Sequence, residues 1–283
     1  MATAADWIHA ARPKTLGAAV APVIVGTALG WKLQHQWHPL LAVCTLLSCA
    51  ALQVATNWFN DALDAVKGAD TAARLGPRRI TASGIVSVRS VMLAAVAMLG
   101  VATVLSVPLI HARGWPIIAI GIPSLYFCFG YTGGPWPLAY RGLGELFVLL
   151  FFGLIAVTGS TFVQTGAWHT EALIAGFQVG CLSTVLIAIN NLRDRAEDAT
   201  TGKRTLAVRF GDQFARIEIV LLTILAYALA PSIWTLPALL LGIVVFVKVM
   251  RGAHGEALNK LLAASGGQLV LFSILYALGC IFS

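Results

Sequence analysis

A succession of apolar runs, each about as long as a bilayer is thick, constrains this chain more than any other feature. A helix needs about 20 predominantly apolar residues to cross the hydrocarbon core. Nine such runs occur, at roughly 15–32, 40–60, 88–110, 115–132, 143–164, 171–191, 214–230, 232–250 and 260–282. Within lipid every backbone N–H and C=O must find its partner inside the structure, so runs of this length are read as helices. Only 11% of the residues are charged, against about a quarter in a soluble domain. The expected fold is all-α: one integral membrane domain over residues 1–283, with nine transmembrane helices around a central cavity. Pro13 at the entry of the first run and Pro22 inside it predict a kink, and Pro231-Ser232 predicts a tight hairpin between the seventh and eighth runs. The N-terminal segment Met1 to Lys14 is polar and carries no apolar stretch of the kind a cleaved signal needs.

Orientation follows from Lys and Arg in the short connections. With nine spans and a cytoplasmic N-terminus, all of the 19 Lys and Arg residues except Lys32 and Arg113 fall on the cytoplasmic side. The net charge of +7 is therefore a topology signal. It forms no basic stripe with interleaved aromatics, which argues against a nucleic-acid partner. Two cytoplasmic connections are long and charged, Asp61 to Val88 and Arg193 to Gly211, whereas the outer ones are short. Function concentrates on such connections, which places the chemistry on the cytoplasmic side.

Both long connections begin with carboxylates. Asn57, Asp61 and Asp64 stand at i, i+4 and i+7 where the second run ends, on one helical face. Asn191, Asp194 and Asp198 stand at i, i+3 and i+7 where the sixth run ends, again on one face. The two halves of the chain thus repeat one device. Carboxylates at membrane depth are costly and are usually functional. Asp and Asn oxygens suit magnesium, which keeps several waters and bridges to substrate phosphates. Asn57, Asp61, Asp64, Asp194 and Asp198 are therefore candidate metal ligands, and the four Asp residues are candidate catalytic groups. An interfacial ion-pair network with Arg193, Arg195 and Lys67 would account for either cluster alone, but poorly for two matched ones.

Basic residues follow each cluster: Lys67, Arg78 and Arg79 after the first, Lys203 and Arg204 after the second. They are candidate diphosphate contacts, although the cytoplasmic bias in basic residues would also place them there. Gly202-Lys203 is not a P-loop, because Glu197 and Arg204 stand where that motif needs Gly and Ser or Thr. The turn-rich segment Tyr131 to Glu145 lies on the same side. Tyr126, Tyr131 and Tyr140 could line a pocket there, or form part of an interfacial aromatic belt. The five cysteines are scattered through apolar runs without metal spacing, and the six histidines form no zinc motif.

These motifs resemble the UbiA-type superfamily of intramembrane prenyltransferases, whose hallmark is two Asp-rich motifs. Several segments look closest to one branch, the 1,4-dihydroxy-2-naphthoate polyprenyltransferases of menaquinone biosynthesis. They are Ala11-Arg12-Pro13-Lys14-Thr15-Leu16, Asn60-Asp61 through Asp64 to Lys67-Gly68-Ala69-Asp70, and Gly76-Pro77-Arg78-Arg79 with Thr81-Ala82-Ser83-Gly84. Tyr131-Thr132-Gly133-Gly134-Pro135, Leu143-Gly144-Glu145 and Asn190 to Asp198 with Gly202-Lys203-Arg204 complete the match. Many superfamily members carry a third Asp where this chain has Gly68, and the naphthoate branch shares that glycine.

The resemblance implies a Mg2+-dependent enzyme of the bacterial inner membrane. It would transfer a polyprenyl group from polyprenyl diphosphate to 1,4-dihydroxy-2-naphthoate, with loss of carbon dioxide and diphosphate, giving demethylmenaquinone. For an acceptor with an anionic carboxylate and an aromatic ring, the resemblance makes Arg12, Lys14, Tyr131, Tyr140 and Arg141 the candidate contacts. The residues alone leave other acceptors open, among them 4-hydroxybenzoate and homogentisate. A secondary transporter would also show repeated halves and intramembrane polar residues, but near the bilayer midplane.

Overall fold

The computed structural model describes residues 2–69, 75–76, 79–230 and 232–282. Among these the chain is helical throughout, with no strand. A short helix α1 (Ala4–Ala11) is followed by α2 (Pro13–Gln34), α3 (Pro39–Val66), α4 (Val88–Arg113) and α5 (Trp115–Gly130). Then come α6 (Gly144–Thr165), α7 (Thr170–Thr200), α8 (Leu206–Ala228), α9 (Leu236–Met250) and α10 (Glu256–Phe282). A helix lies over each expected run. Among the described residues, six of them (α2, α3, α4, α6, α7 and α10) are long and apolar enough to cross a membrane, and α5 and α9 are shorter apolar helices. The expected count of nine is therefore not carried by length and hydropathy. The shortfall has a local cause in α8, which starts eight positions before its apolar run. It takes up Arg209, Asp212, Arg216 and Glu218 and breaks at Gly211 (φ +89°).

Local chemistry sets the ends. Thr3 caps α1, with Asp6 returning a bond to the Thr3 backbone. Arg12 then turns left-handed (φ 53°) and Pro13 opens α2. Helix α3 outlasts its apolar run and carries Asp61 and Asp64 as its last two turns. It stops at Gly68, whose φ of +66° only glycine adopts freely. Ala69 N–H closes the end on the Asp64 carbonyl at 2.9 Å. A side chain at position 68 would be strained in this turn.

Helix α7 is the hub. Of its most apolar window 72% is buried, against 17% for α4, so α4 faces the lipid. Val179 and Leu182 of α7 pack with Val25 of α2, Val157 of α6, and Leu269 and Phe272 of α10. Where α6 crosses α7 the backbones touch: a Cβ on Gly153 would lie 2.3 Å from the Gly180 Cα. Small residues permit such contact in membrane bundles. Gly153 sits in a π-helical stretch, Leu149–Ile155. All five cysteines are free thiols.

Candidate active site

The cytoplasm-directed ends of α3 and α7, as assigned from the sequence, meet in a buried charged centre. Asp64, on the last turn of α3, is its focus. Its Oδ1 accepts from the Tyr140 hydroxyl at 2.9 Å, and its Oδ2 accepts from Arg79 Nη2 at 3.1 Å and from Lys203 Nζ at 3.3 Å. Lys203 Nζ also lies 3.8 Å from Asp198 Oδ1 on α7. Lys67 Nζ stands 3.9 Å above the Tyr140 ring and donates to the Thr132 carbonyl at 2.5 Å. Lys203 Nζ lies 5.4 Å from the centroid of the same ring. Burial pushes the Lys67 ammonium toward its neutral form. The Asp64 carboxylate opposes that shift, and Lys203 adds to it. Among the described residues two carboxylates thus face three cations, a balance suited to an anion of several charges.

Asp61 has a different task. Only 1% exposed, it accepts the backbone N–H groups of Ile80 and Thr81 at 3.2 and 3.0 Å. It clamps the loop that delivers Arg79 to Asp64. Asp194 is held bidentately by its neighbour Arg193 at 2.7 and 2.6 Å, and Arg193 also reaches Asn190 and Asn259. Asn191 donates to Glu145 at 2.7 Å. Asn57 donates to the Ala11 carbonyl at 2.8 Å and to Thr15 at 3.1 Å. The three residues assigned to one face of α3 therefore reach three separate sets of partners. Only Asp64 among them reaches Lys203, the group shared with Asp198.

Of the basic candidates, Lys67, Arg79 and Lys203 converge. Arg204 is exposed, and its backbone N–H ties the loop to the Tyr140 carbonyl at 3.2 Å. Arg78 lies outside the described residues, as do Asp70 and Arg74, and the Lys14 side chain is likewise not described. Of the acceptor candidates, Tyr140 belongs to the charged centre. Arg141 stacks 3.9 Å above the exposed Trp136 ring. Arg12 forms the α1–α2 junction. Tyr131 packs on Phe147 with centroids 5.3 Å apart.

Sequence reasoning passed over two features. Asn60, one turn before Asp64, accepts from Thr132 and ties the Tyr131–Thr132 loop to α3; its i+4 spacing to Asp64 was the available signal. Phe147 and Phe151 stack on each other with centroids 4.4 Å apart, Phe127 meets both edge-on at 5.3 and 5.4 Å, and the three extend from Tyr131 into a cavity of about 170 Å³. This cavity lies between α2, α3, α4, α5 and α6. Nothing in the sequence assigned those phenylalanines to it.

Magnesium fits the donor set. The Lys203 ammonium already sits where a cation is shared by two carboxylates. Among the described residues no three acidic, His or Cys side chains form a closed cage. Two carboxylates with positions left for water and phosphate oxygens is the magnesium pattern.

The profile of the UbiA prenyltransferase family matches residues 19–259. The chain is 35% identical to the 1,4-dihydroxy-2-naphthoate octaprenyltransferase of Mycobacterium leprae, over 98% of this chain and 96% of that one. It is 33% identical to the protein of that name from Haemophilus influenzae, over 96% and 94%. Its fold matches a UbiA homolog from Archaeoglobus fulgidus, solved bound to DMAPP and Mg2+, with a TM-score of 0.64 at 16% identity, over 98% of this chain and 99% of that one.

Proposed function

The chain belongs to the UbiA prenyltransferase family, an integral membrane family, and on that premise we propose that it prenylates 1,4-dihydroxy-2-naphthoate from a polyprenyl diphosphate. The relatives that it matches along nearly their whole length carry that activity in their names. The observation that carries the chemistry is the meeting of Asp64 from α3 with Asp198 from α7 about Lys203, beside Lys67 and Arg79.

The first step breaks the bond between the prenyl C1 and the diphosphate oxygen, and the electron pair leaves with the diphosphate. Lys67, Arg79 and Lys203 bind that developing charge in a buried site, where fixed charges act most strongly. Asp64 and Asp198 would hold magnesium, which when bound neutralises diphosphate oxygens. Asp61 and Asp194 act one step removed: Asp61 by fixing the Arg79 loop, Asp194 through Arg193. Tyr140 orients Asp64. The allylic cation left at C1 is sheltered by Tyr131 and Phe147, whose ring faces favour positive charge. The acceptor carbon bearing the carboxylate attacks C1. The new carbon–carbon bond forms, carbon dioxide departs, and the electron pair it leaves behind restores the aromatic ring. The immediate product is the hydroquinone form of demethylmenaquinone. Arg12 and Lys14 at the α1–α2 junction are the cations assigned to the acceptor carboxylate. The long prenyl tail runs out between helices toward lipid.

The arrangement proposed for the membrane is nine spans in two pseudo-repeated halves, with the N-terminus and the charged centre cytoplasmic. Support comes from the distribution of Lys and Arg and from the helix over each of the nine runs. The deciding assay supplies membranes expressing the chain with Mg2+, a long polyprenyl diphosphate and either acceptor. Dihydroxynaphthoate should be prenylated with release of carbon dioxide, and 4-hydroxybenzoate left largely unchanged. Prenylation of hydroxybenzoate alone would overturn the acceptor.

A further inference from the structure

We propose that Gln53 binds the aromatic acceptor by taking a hydrogen bond from its 4-hydroxyl group; this rests on the acceptor assigned above. Gln53 lines the cavity between α2, α3, α4, α5 and α6 and is only 8% exposed. Its Oε1 is buried and, among the described residues, has no hydrogen-bond partner. Buried polar atoms are rarely left so, and each such orphan calls for a reason.

The amide orientation that leaves this oxygen unpaired is forced by a chain of bonds from the α1–α2 junction. The Ala11 carbonyl can only accept, so the Asn57 atom 2.8 Å from it is the Nδ2 donor. Thr15 spends its hydroxyl proton on the Arg12 carbonyl at 2.9 Å, so it too can only accept from Asn57, at 3.1 Å. That leaves Asn57 Oδ1 as an acceptor facing Gln53, which must present Nε2 to it, at 3.2 Å. The remaining atom of Gln53 is then a carbonyl oxygen, and it requires a donor.

Of the two substrates only the aromatic diol brings one to this depth. A prenyl chain has no polar hydrogen, and an ionised diphosphate offers acceptors alone. In dihydroxynaphthoate the 1-hydroxyl lies beside the carboxylate and bonds to it internally. The 4-hydroxyl is the free donor. Phe127, Phe147 and Phe151 line the same cavity and offer the ring an aromatic surface. A site built to accept from a substrate hydroxyl rejects an analogue that lacks it, because its own buried group is left unpaired.

The test compares dihydroxynaphthoate with its 4-O-methyl ether in the wild-type enzyme, Gln53→Met and Gln53→Leu, in membranes with Mg2+ and polyprenyl diphosphate. In the wild type the ether should lose roughly tenfold or more in kcat/KM. Both variants should raise the KM for dihydroxynaphthoate by about the same factor, leave the KM for polyprenyl diphosphate unchanged, and cease to distinguish the two acceptors. Discrimination is a ratio within one preparation, so a smaller folded fraction does not alter it. A wild type indifferent to methylation, or variants that still discriminate as the wild type does, would overturn the role of Gln53 while leaving the acceptor standing. A wild type that prenylates neither naphthoate would overturn the acceptor, and this proposal with it.

Discussion

Lys203 reaches Asp64 at 3.3 Å across 139 positions of chain. The bond joins the loop after α7 to the end of α3, and Asp198 lies on the other side of the same ammonium. Removing either carboxylate leaves Lys203 and its neighbours with surplus positive charge and removes a ligand proposed for the metal. Asp64→Asn and Asp198→Asn should each lower kcat/KM by about a hundredfold or more, the scale of a lost transition-state charge contact. Chelation of Mg2+ should abolish wild-type turnover. Near-normal activity of Asp64→Asn with unchanged magnesium dependence would refute its role.

Asp61 separates from Asp64 by experiment. Its carboxylate accepts two buried backbone N–H groups, and each left unpaired costs about 1–3 kcal/mol. Asp61→Ala should lower the midpoint of thermal unfolding in detergent and raise the KM for polyprenyl diphosphate through a displaced Arg79. Unchanged thermal stability would show that the loop does not depend on this clamp.

Lys67 gives the site a pH dependence. Burial lowers its pKa from the ordinary 10.5, so the charged form is lost at a lower pH than in an exposed lysine. In the proposed mechanism diphosphate binding depends on the charged form. The KM for polyprenyl diphosphate should therefore rise on the alkaline side before an ordinary lysine would titrate, while the KM for the acceptor stays flat. Lys67→Arg should remove the rise, because arginine stays protonated. The same profile in Lys67→Arg would assign the titration to another group.

The contact of Gly153 with Gly180 leaves no room for a methyl group. Gly153→Ala should separate α6 from α7 and destabilise the fold by about 1–3 kcal/mol, the usual cost of overpacking, read as a lower unfolding temperature. Gly100, whose added Cβ would meet nothing within 4 Å, is the control: Gly100→Ala should leave stability unchanged or slightly raised.

Topology is tested by single cysteines at exposed Thr200 and Trp168 in a background without the native five. A membrane-impermeant thiol reagent should label the two from opposite sides. Labelling from the same side would exclude the nine-span arrangement.

The sequence by itself determined the class of the protein and the positions of its carboxylate clusters along the helices. A bilayer admits only locally bonded helices of a minimum length, so apolar runs are legible as spans without knowledge of neighbours. Carboxylates at the ends of two such runs are legible for the same reason, since their cost demands a role. What only the tertiary structure decided is which of them act together. Asn57, Asp61 and Asp64 share a helical face, but where α3 leaves the bilayer that face meets α1, the loop at 79–81 and the loop at 138–140. One direction on a helix does not name one partner. Contacts between residues more than a hundred positions apart, such as Lys203 with Asp64, depend on how the helices pack. So does the orphaned oxygen of Gln53, whose state follows from bonds on α1 and α2 that no spacing within α3 records.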